Sequence, residues 1–224
     1  MKSVNSLPLE QRRGIETTDL NDNLVLVQAS VEQVVQALGQ LRQVAVWERD
    51  VYEREIEIQD YSFIIFQIRK HPWTLICKLS FLTYHVTFED KDVQSLSSLL
   101  HAKAIHYLIS DTSLSLGYHL YNCGESVEKL FFTSELEGEM EDDEDEDENE
   151  EAQGTCHFQS KLRQLKAEDI ENVYSFTDDF LRQQDVYVPA FFTKVYFRCG
   201  QRITLRLKGI EHDDFEQMDY VVLN

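Results

Sequence analysis

The sequence predicts an α+β fold in which a large antiparallel sheet, arranged as one sheet or as two, carries about three helices. Residues 101–133 contain three consecutive stretches with apolar residues at every second position, which is the pattern of half-buried strands. Short turns separate these stretches, so neighbouring strands run antiparallel. Three other segments have apolar residues at spacings of three and four, which is typical of helices packed on a sheet.

The first third of the chain predicts one strand, one helix and a group of strands. Leu24–Gln28 is a short strand, and Ser30–Gln33 has the form of a capping box at the start of a helix. The helix ends near Arg42 and has one apolar face, formed by Val31, Val34, Val35, Leu38 and Leu41. The strands that follow are predicted at Val51–Gln59, Tyr61–Ile68 and Thr74–Phe81. The second of these is apolar on both faces, which indicates a strand inside a sheet.

The middle of the chain predicts a second helix and a three-stranded meander. Asp90 or Asp92 caps a helix whose apolar positions are Val93, Leu96, Leu99 and Leu100. The meander strands are Ala104–Ile109, Leu114–Leu120 and Val127–Phe132. The central strand alternates leucine or tyrosine with small or polar residues, so we expect it to be buried on one side only.

The last third predicts the order of strand, helix and strands once more. Thr155–Gln159 is a strand, and a helix near Glu168–Arg182 has one apolar face formed by Ile170, Val173, Tyr174, Phe180 and Leu181. Further strands are predicted at 194–199, 202–208 and 220–223. The order of strand, helix and strands occurs three times, which indicates either repeated units or the ordinary alternation of an α+β chain.

The charge is concentrated in one segment, which divides the chain. Thirteen of the acidic residues lie between Glu135 and Glu151, and without them the net charge of −20 becomes −7. Residues 139–151 have almost no apolar side chains and are expected to stay disordered. We therefore predict a flexible arm at 1–22, an α+β part at 23–134, a disordered acidic loop at 135–153, and a second α+β part at 154–224 that completes the same domain.

The composition favours a cytoplasmic protein that binds neither membranes nor nucleic acid. The four cysteines are isolated and form no CxxC pair, which indicates free thiols in a reducing compartment. No apolar run approaches the roughly 20 residues of a membrane helix, and the N-terminus has no apolar core of a secretory signal. A mildly acidic folded part is a poor partner for nucleic acid. No histidine or glycine pattern predicts a metal or a cofactor.

One polar cluster could hold a nucleophile and a base. The segment Ser110–Ser113 lies between strands that carry His106 and His119. Catalysis would require a hydroxyl and an imidazole within hydrogen-bond distance, with a third group orienting the imidazole. The segment also consists of residues that favour turns, and no GxSxG motif accompanies it. A structural turn is the favoured interpretation, so we expect Ser113→Ala and His106→Ala to change stability without abolishing an activity.

Two surfaces are candidates for binding. Pairing of 194–198 with 202–206 through a three-residue turn would place five basic residues on one face: Lys194, Arg198, Arg202, Arg206 and Lys208. This basic stripe is either a solvated face or a site for an acidic ligand, for which the acidic loop would compete. Trp47 and Arg49 are residue types that are enriched in protein interfaces, although packing of Trp47 in the core is the favoured interpretation.

The sequence therefore supports two classes of function. The favoured hypothesis is a non-catalytic protein-binding or regulatory module, such as an immunity-type inhibitor of a basic partner, because charge complementarity speeds association. The alternative is a small enzyme with a site around Ser110–Ser113 and the neighbouring histidines.

Overall fold

The protein is described here by a computed structural model over residues 7–16, 21–79, 88–110, 115–134, 154–190, 197–207 and 209–224. The described α-helices are α1 (Val31–Leu41), α2 (Asp90–Leu100) and α3 (Val173–Gln183). The strands, in chain order, are β1 (Gly14–Ile15), β2 (Asn21–Val27), β3 (Val44–Glu48), β4 (Glu55–Glu57), β5 (Ser62–Ile68), β6 (Thr74–Lys78), β7 (Lys103–Ser110), β8 (Ser115–Asn122), β9 (Glu125–Ser134), β10 (Gly154–Ser160), β11 (Tyr187–Val188), β12 (Arg202–Thr204) and β13 (Phe215–Leu223).

A single nine-stranded antiparallel sheet organises the molecule. Its strand order is β10-β9-β8-β7-β2-β6-β5-β13-β3, so the predicted large sheet is one sheet. Two small two-stranded sheets accompany it, β1 with β11 and β4 with β12. The predicted α+β class and the meander β7-β8-β9 are confirmed.

Apolar cores cover both faces of the sheet. On one face, α1 and α2 bury Val34, Leu38, Val93 and Leu96 against strand residues such as Ile65. On the other face, α3 and the two small sheets enclose the larger core, which contains Trp73 and Phe180. The central strand β8 is consequently buried along Ser115–Tyr121 on both sides, so the expectation of one-sided burial is wrong. Because α3 packs on the face opposite to α1 and α2, the third helix does not repeat the placement of the first two.

Local sequence signals position the helices. Ser30 caps α1, with Gln33 closing the capping box as predicted. The cap position of α2 is occupied by Glu89 rather than Asp90 or Asp92, and Asp90 is the first helical residue. The third helix begins at Val173, later than predicted, and a short 3-10 turn, Ala167–Asp169, precedes it. Tyr174 was expected on the apolar face of α3 but is 51% exposed.

Part of the predicted N-terminal arm is docked on the domain. Gly14–Ile15 pairs in parallel with Tyr187–Val188. The backbone N–H of Ile15 donates to Asp178 Oδ1 at 2.8 Å, which ties the segment to α3. Gly14 has a φ of +84°, and a Cβ at this position would lie 2.2 Å from Asp178 Oδ1. Glycine therefore permits the close approach of this segment to α3.

Candidate functional site

A row of polar residues crosses the face of the sheet on which α2 lies. His106 on β7 pairs across the strands with His119 on β8, and His119 pairs with Lys129 on β9. Asp90, at the first position of α2, lies over this row. The register thus brings together the two histidines that the sequence singled out, with a carboxylate and a lysine that it did not predict. We call Asp90, His106, His119, Ser126 and Lys129 the Asp90 cluster.

Asp90 accepts hydrogen bonds from three side chains of the cluster. His106 Nδ1 lies 2.8 Å from Oδ1, while His119 Nδ1 and Lys129 Nζ lie 3.0 and 2.9 Å from Oδ2. The hydrogen bonds from His106 and His119, more than that from Lys129, hold the pKa of Asp90 well below its usual range. An ionised carboxylate only accepts hydrogen bonds, so a hydrogen bond between either histidine and Asp90 requires the proton to be on Nδ1 of that ring.

His119 also contacts a serine that the sequence did not predict. Its Nε2 atom lies 2.7 Å from Ser126 Oγ, and Ser126 is exposed on β9. A register shift between Leu120 and Tyr121 pairs Tyr121 with Ser126, which places both on the face of the sheet that carries the cluster. The Tyr121 ring stacks on the imidazole at 4.0 Å, and its hydroxyl oxygen lies 2.7 Å from Nδ1. The bulge explains why simple alternation along 125–132 did not place Ser126 beside His119.

The predicted Ser110–Ser113 segment is described only at Ser110, the last residue of β7; residues 111–113 lie outside the described residues. Its role as a structural turn stays a prediction. In the described part of the chain, no group of three or more His, Cys, Asp or Glu residues could hold a metal ion.

The buried carboxylate of Glu128 links β9 and β10 to the layer that contains α3. Glu128 Oε1 accepts from the Tyr118 hydroxyl at 2.7 Å, and its Oε2 accepts from Ser160 Oγ at 2.6 Å and lies 3.2 Å from Arg163 Nε. The Glu128 side chain is 0% exposed and that of Arg163 is 23% exposed. The guanidinium also lies over the Phe176 ring of α3. This network fixes the β9–β10 hairpin against α3.

The strand β10 forms one edge of the nine-stranded sheet. It pairs with β9 over Gly154–Ser160 and has no other strand neighbour among the described residues. Under this edge, on the side of α3, lies an open groove of about 740 Å³. The groove is lined by residues of β9 and β10, the Ala167–Asp169 turn and the start of α3: Phe132, Cys156, Lys166, Glu168, Ile170, Glu171, Val173 and Tyr174.

The basic stripe is only partly described, because Lys194 and Lys208 lie outside the described residues. Arg202 and Arg206 already have acidic neighbours, since Arg202 lies 3.5 Å from Glu55 and Glu57, and Arg206 lies 3.3 Å from Glu53. The strand β12 pairs with β4, and Gln201 N–H donates to Arg198 O across the turn at Gly200. Pairing of 194–198 with 202–206 and binding of an anion by the stripe stay predictions.

The position of the stripe disfavours competition by the acidic loop. The sheet β4–β12 contacts β13, where the Tyr220 hydroxyl donates to Glu57 O. Seven strand spacings of about 4.8 Å separate β10 from β13, roughly 34 Å. Residues 135–153 leave β9 and return to β10, so half of the segment, fully extended, reaches roughly 31–34 Å. The loop would have to be stretched completely to approach the stripe.

Trp47 and Arg49 form a local surface cluster on the other edge of the sheet. Trp47 Nε1 donates to Asp219 Oδ2 at 2.7 Å, and the Arg49 guanidinium lies 4.5 Å from the centre of the indole ring. Arg49 also pairs with Glu32 at 3.0 Å. Burial raises the pKa of Asp219, while hydrogen bonds from Trp47, the Asp50 backbone and Gln217 act in the opposite direction. Trp47 therefore holds β3 against β13 through Asp219. These contacts within the chain account for the position of Trp47 without a binding partner.

Comparisons with known proteins identify no relative, since no family model, no curated protein and no solved structure matches the chain. Within the described residues, no helix is long and apolar enough to cross a membrane.

Proposed function

We propose that this protein is a protein-binding module that captures a basic, extended segment of a partner at the edge strand β10. The observation that carries the proposal is the edge strand at Gly154–Ser160, which pairs only with β9 among the described residues and has a groove of about 740 Å³ beneath it. An edge strand offers unpaired backbone N–H and C=O groups, and an added strand satisfies them.

The groove supports selection of the side chains of the added strand. Successive side chains of a strand point to opposite faces, so every second residue of the partner would enter the groove. Phe132, Ile170 and Val173 supply apolar lining. Glu168 and Glu171 supply negative charge, which Lys166, 2.9 Å from Glu168, offsets in part. A segment that alternates apolar and basic residues would match this lining.

The acidic segment supports the same partner chemistry. Residues 135–153 connect β9 to β10, and Ser134 pairs with Gly154 where the two strands meet the segment. Thirteen carboxylates are therefore tethered at one end of the proposed binding edge. Such a charge density speeds the encounter with a basic partner and makes the association rate fall with salt.

The proposal can be tested with a defined probe, a fluorescent ten-residue peptide of alternating lysine and valine. The fluorescence anisotropy of the peptide should rise when it binds the protein. Hydrogen exchange of the backbone amides of residues 154–160 should become slower. A peptide of the same composition with all lysines before all valines should bind at least about tenfold more weakly, because alternation is what the edge and groove select.

Two charge-reversal variants distinguish the groove from the overall charge. Glu168→Lys/Glu171→Lys should weaken binding by about tenfold, since each reversal replaces an attraction by a repulsion of up to about 1 kcal/mol. Glu53→Lys/Glu55→Lys makes the same change in net charge beside β12 and should have a much smaller effect. Equal weakening by both variants, or protection of β3 instead of β10, would refute the proposal.

A further inference from the structure

We propose that Ser126 is the nucleophile of an acyl-transfer site that hydrolyses small carboxylic esters, with His119 as its base and Asp90 as the group that orients His119. Nothing in this inference depends on binding at β10, because the Asp90 cluster lies on the face of the sheet opposite to the groove. The three side chains form a continuous chain of hydrogen bonds from an exposed hydroxyl to an ionised carboxylate.

The geometry meets the requirements of an activated serine. With a proton on His119 Nδ1, that N–H faces both Asp90 Oδ2 at 3.0 Å and the Tyr121 hydroxyl oxygen at 2.7 Å, and the lone pair of Nε2 is directed away from Asp90. Ser126 Oγ lies 2.7 Å from Nε2, so its hydroxyl donates to the imidazole. Both distances fall within the range of about 2.6–3.2 Å expected between a nucleophile, its base and the orienting group.

The surroundings hold the base and leave the serine accessible. The His119 side chain is only 11% exposed, and the Tyr121 ring stacks on it. Ser126 itself is exposed, and Lys129 Nζ, 2.9 Å from Asp90 Oδ2, places a positive charge in the same cluster. An open site of this kind suits an ester with a small acyl group, whose carbonyl carbon can approach Oγ without entering a cavity.

The reaction balances with water as the only co-substrate. Ser126 Oγ forms a bond to the carbonyl carbon while its proton moves to His119 Nε2. The tetrahedral adduct then expels the alcohol, which takes the proton from Nε2, and the acyl group remains on Oγ. Water repeats the sequence with His119 as base, releasing the carboxylic acid and restoring the Ser126 hydroxyl.

A fluorophosphonate probe tests the nucleophile directly, because its reaction forms an Oγ–P bond and releases fluoride. Peptide mass spectrometry of the labelled protein should locate the adduct on Ser126. Release of p-nitrophenolate from p-nitrophenyl acetate should give the rate with a carboxylic ester. Ser126→Ala should lose both signals, and because Ser126 is exposed this variant should keep its fold.

The two histidines provide a matched control. Both donate to Asp90, but only His119 contacts Ser126. His119→Gln should lower labelling and ester hydrolysis by about 10² or more, the usual contribution of a general base. His106→Gln removes one donor to Asp90 but keeps the contact between His119 and Ser126, so it should lower both signals by much less than His119→Gln does. The proposal is overturned by a folded protein that is not labelled, by an adduct on another residue, or by equal losses in the two variants.

Discussion

Removal of the positive charge beside Glu128 gives the sharpest prediction about stability. In Arg163→Met the Glu128 carboxylate keeps hydrogen bonds from Tyr118 and Ser160 but loses the guanidinium that lies 3.2 Å away. Breaking a buried ion pair from one side costs about 3–5 kcal/mol. We expect the low end, about 3 kcal/mol, because Arg163 is partly exposed and two donors remain. For a chain of this size, that corresponds to a fall in Tm of about 6–12 °C.

A double-mutant cycle separates the buried charge from other effects of the substitution. Glu128→Gln alone should cost about 1–2 kcal/mol, because it disturbs hydrogen bonds but leaves no buried charge. Glu128→Gln/Arg163→Met should then cost at least about 1.5 kcal/mol less than the sum of the two single variants. Urea unfolding followed by circular dichroism measures all three free energies. Additive free energies, or a cost below about 1 kcal/mol for Arg163→Met, would refute this account of the network.

Two further predictions concern the acidic segment and Asp90. Limited proteolysis should cut first within 135–153 and leave two associated fragments, because seven residue pairs join β9 to β10; a first cut elsewhere would contradict this. Asp90 has a lowered pKa when folded, so its contribution to stability is present above the ordinary value of 3.8 and is lost as the pH falls through the folded value. Urea unfolding should therefore show that Asp90→Asn destabilises the protein at pH 7 and does so less at pH 3; a constant difference between these pH values would contradict the assignment.

Much of the fold could be predicted because local and tertiary preferences agree. The capping box at Ser30 starts α1, and the two-sided apolar pattern of Ser62–Ile68 belongs to an interior strand. The strand Val44–Glu48 was not predicted, because its first four residues, including Trp47, are all apolar and show no alternation of apolar and polar residues. Only Tyr220–Leu223 was predicted of β13, because Glu216 and Asp219 interrupt its apolar pattern. Asp219 is nevertheless buried, and its carboxylate accepts a hydrogen bond from Trp47 on β3.

The candidate sites show where sequence patterns stop being informative. His106 and His119 could be grouped because both belong to a predicted meander, whose register places them opposite each other. Asp90 was considered only as a helix cap, since nothing in the sequence indicates that α2 starts above these two residues. The position of Ser126 beside His119 depends on a bulge in β9. The groove under β10 depends on how α3 packs against the face of the sheet opposite to α2. These are relationships between elements, which alternation within one element does not encode.

The position of β13 in the sheet has a consequence for the order in which the molecule can form. Residues 215–223 lie between β5 and β3, two strands that come from the first third of the chain. During synthesis, one edge of β5 stays unpaired until β13 has been made. Among the described strands, β3 likewise has no pairing partner before β13. Closure of such a long loop is entropically costly and slows folding. For most of its synthesis, the nascent chain thus exposes an unpaired strand edge that can pair with other chains. A chaperone or rapid packing of α1 would be needed to protect this edge.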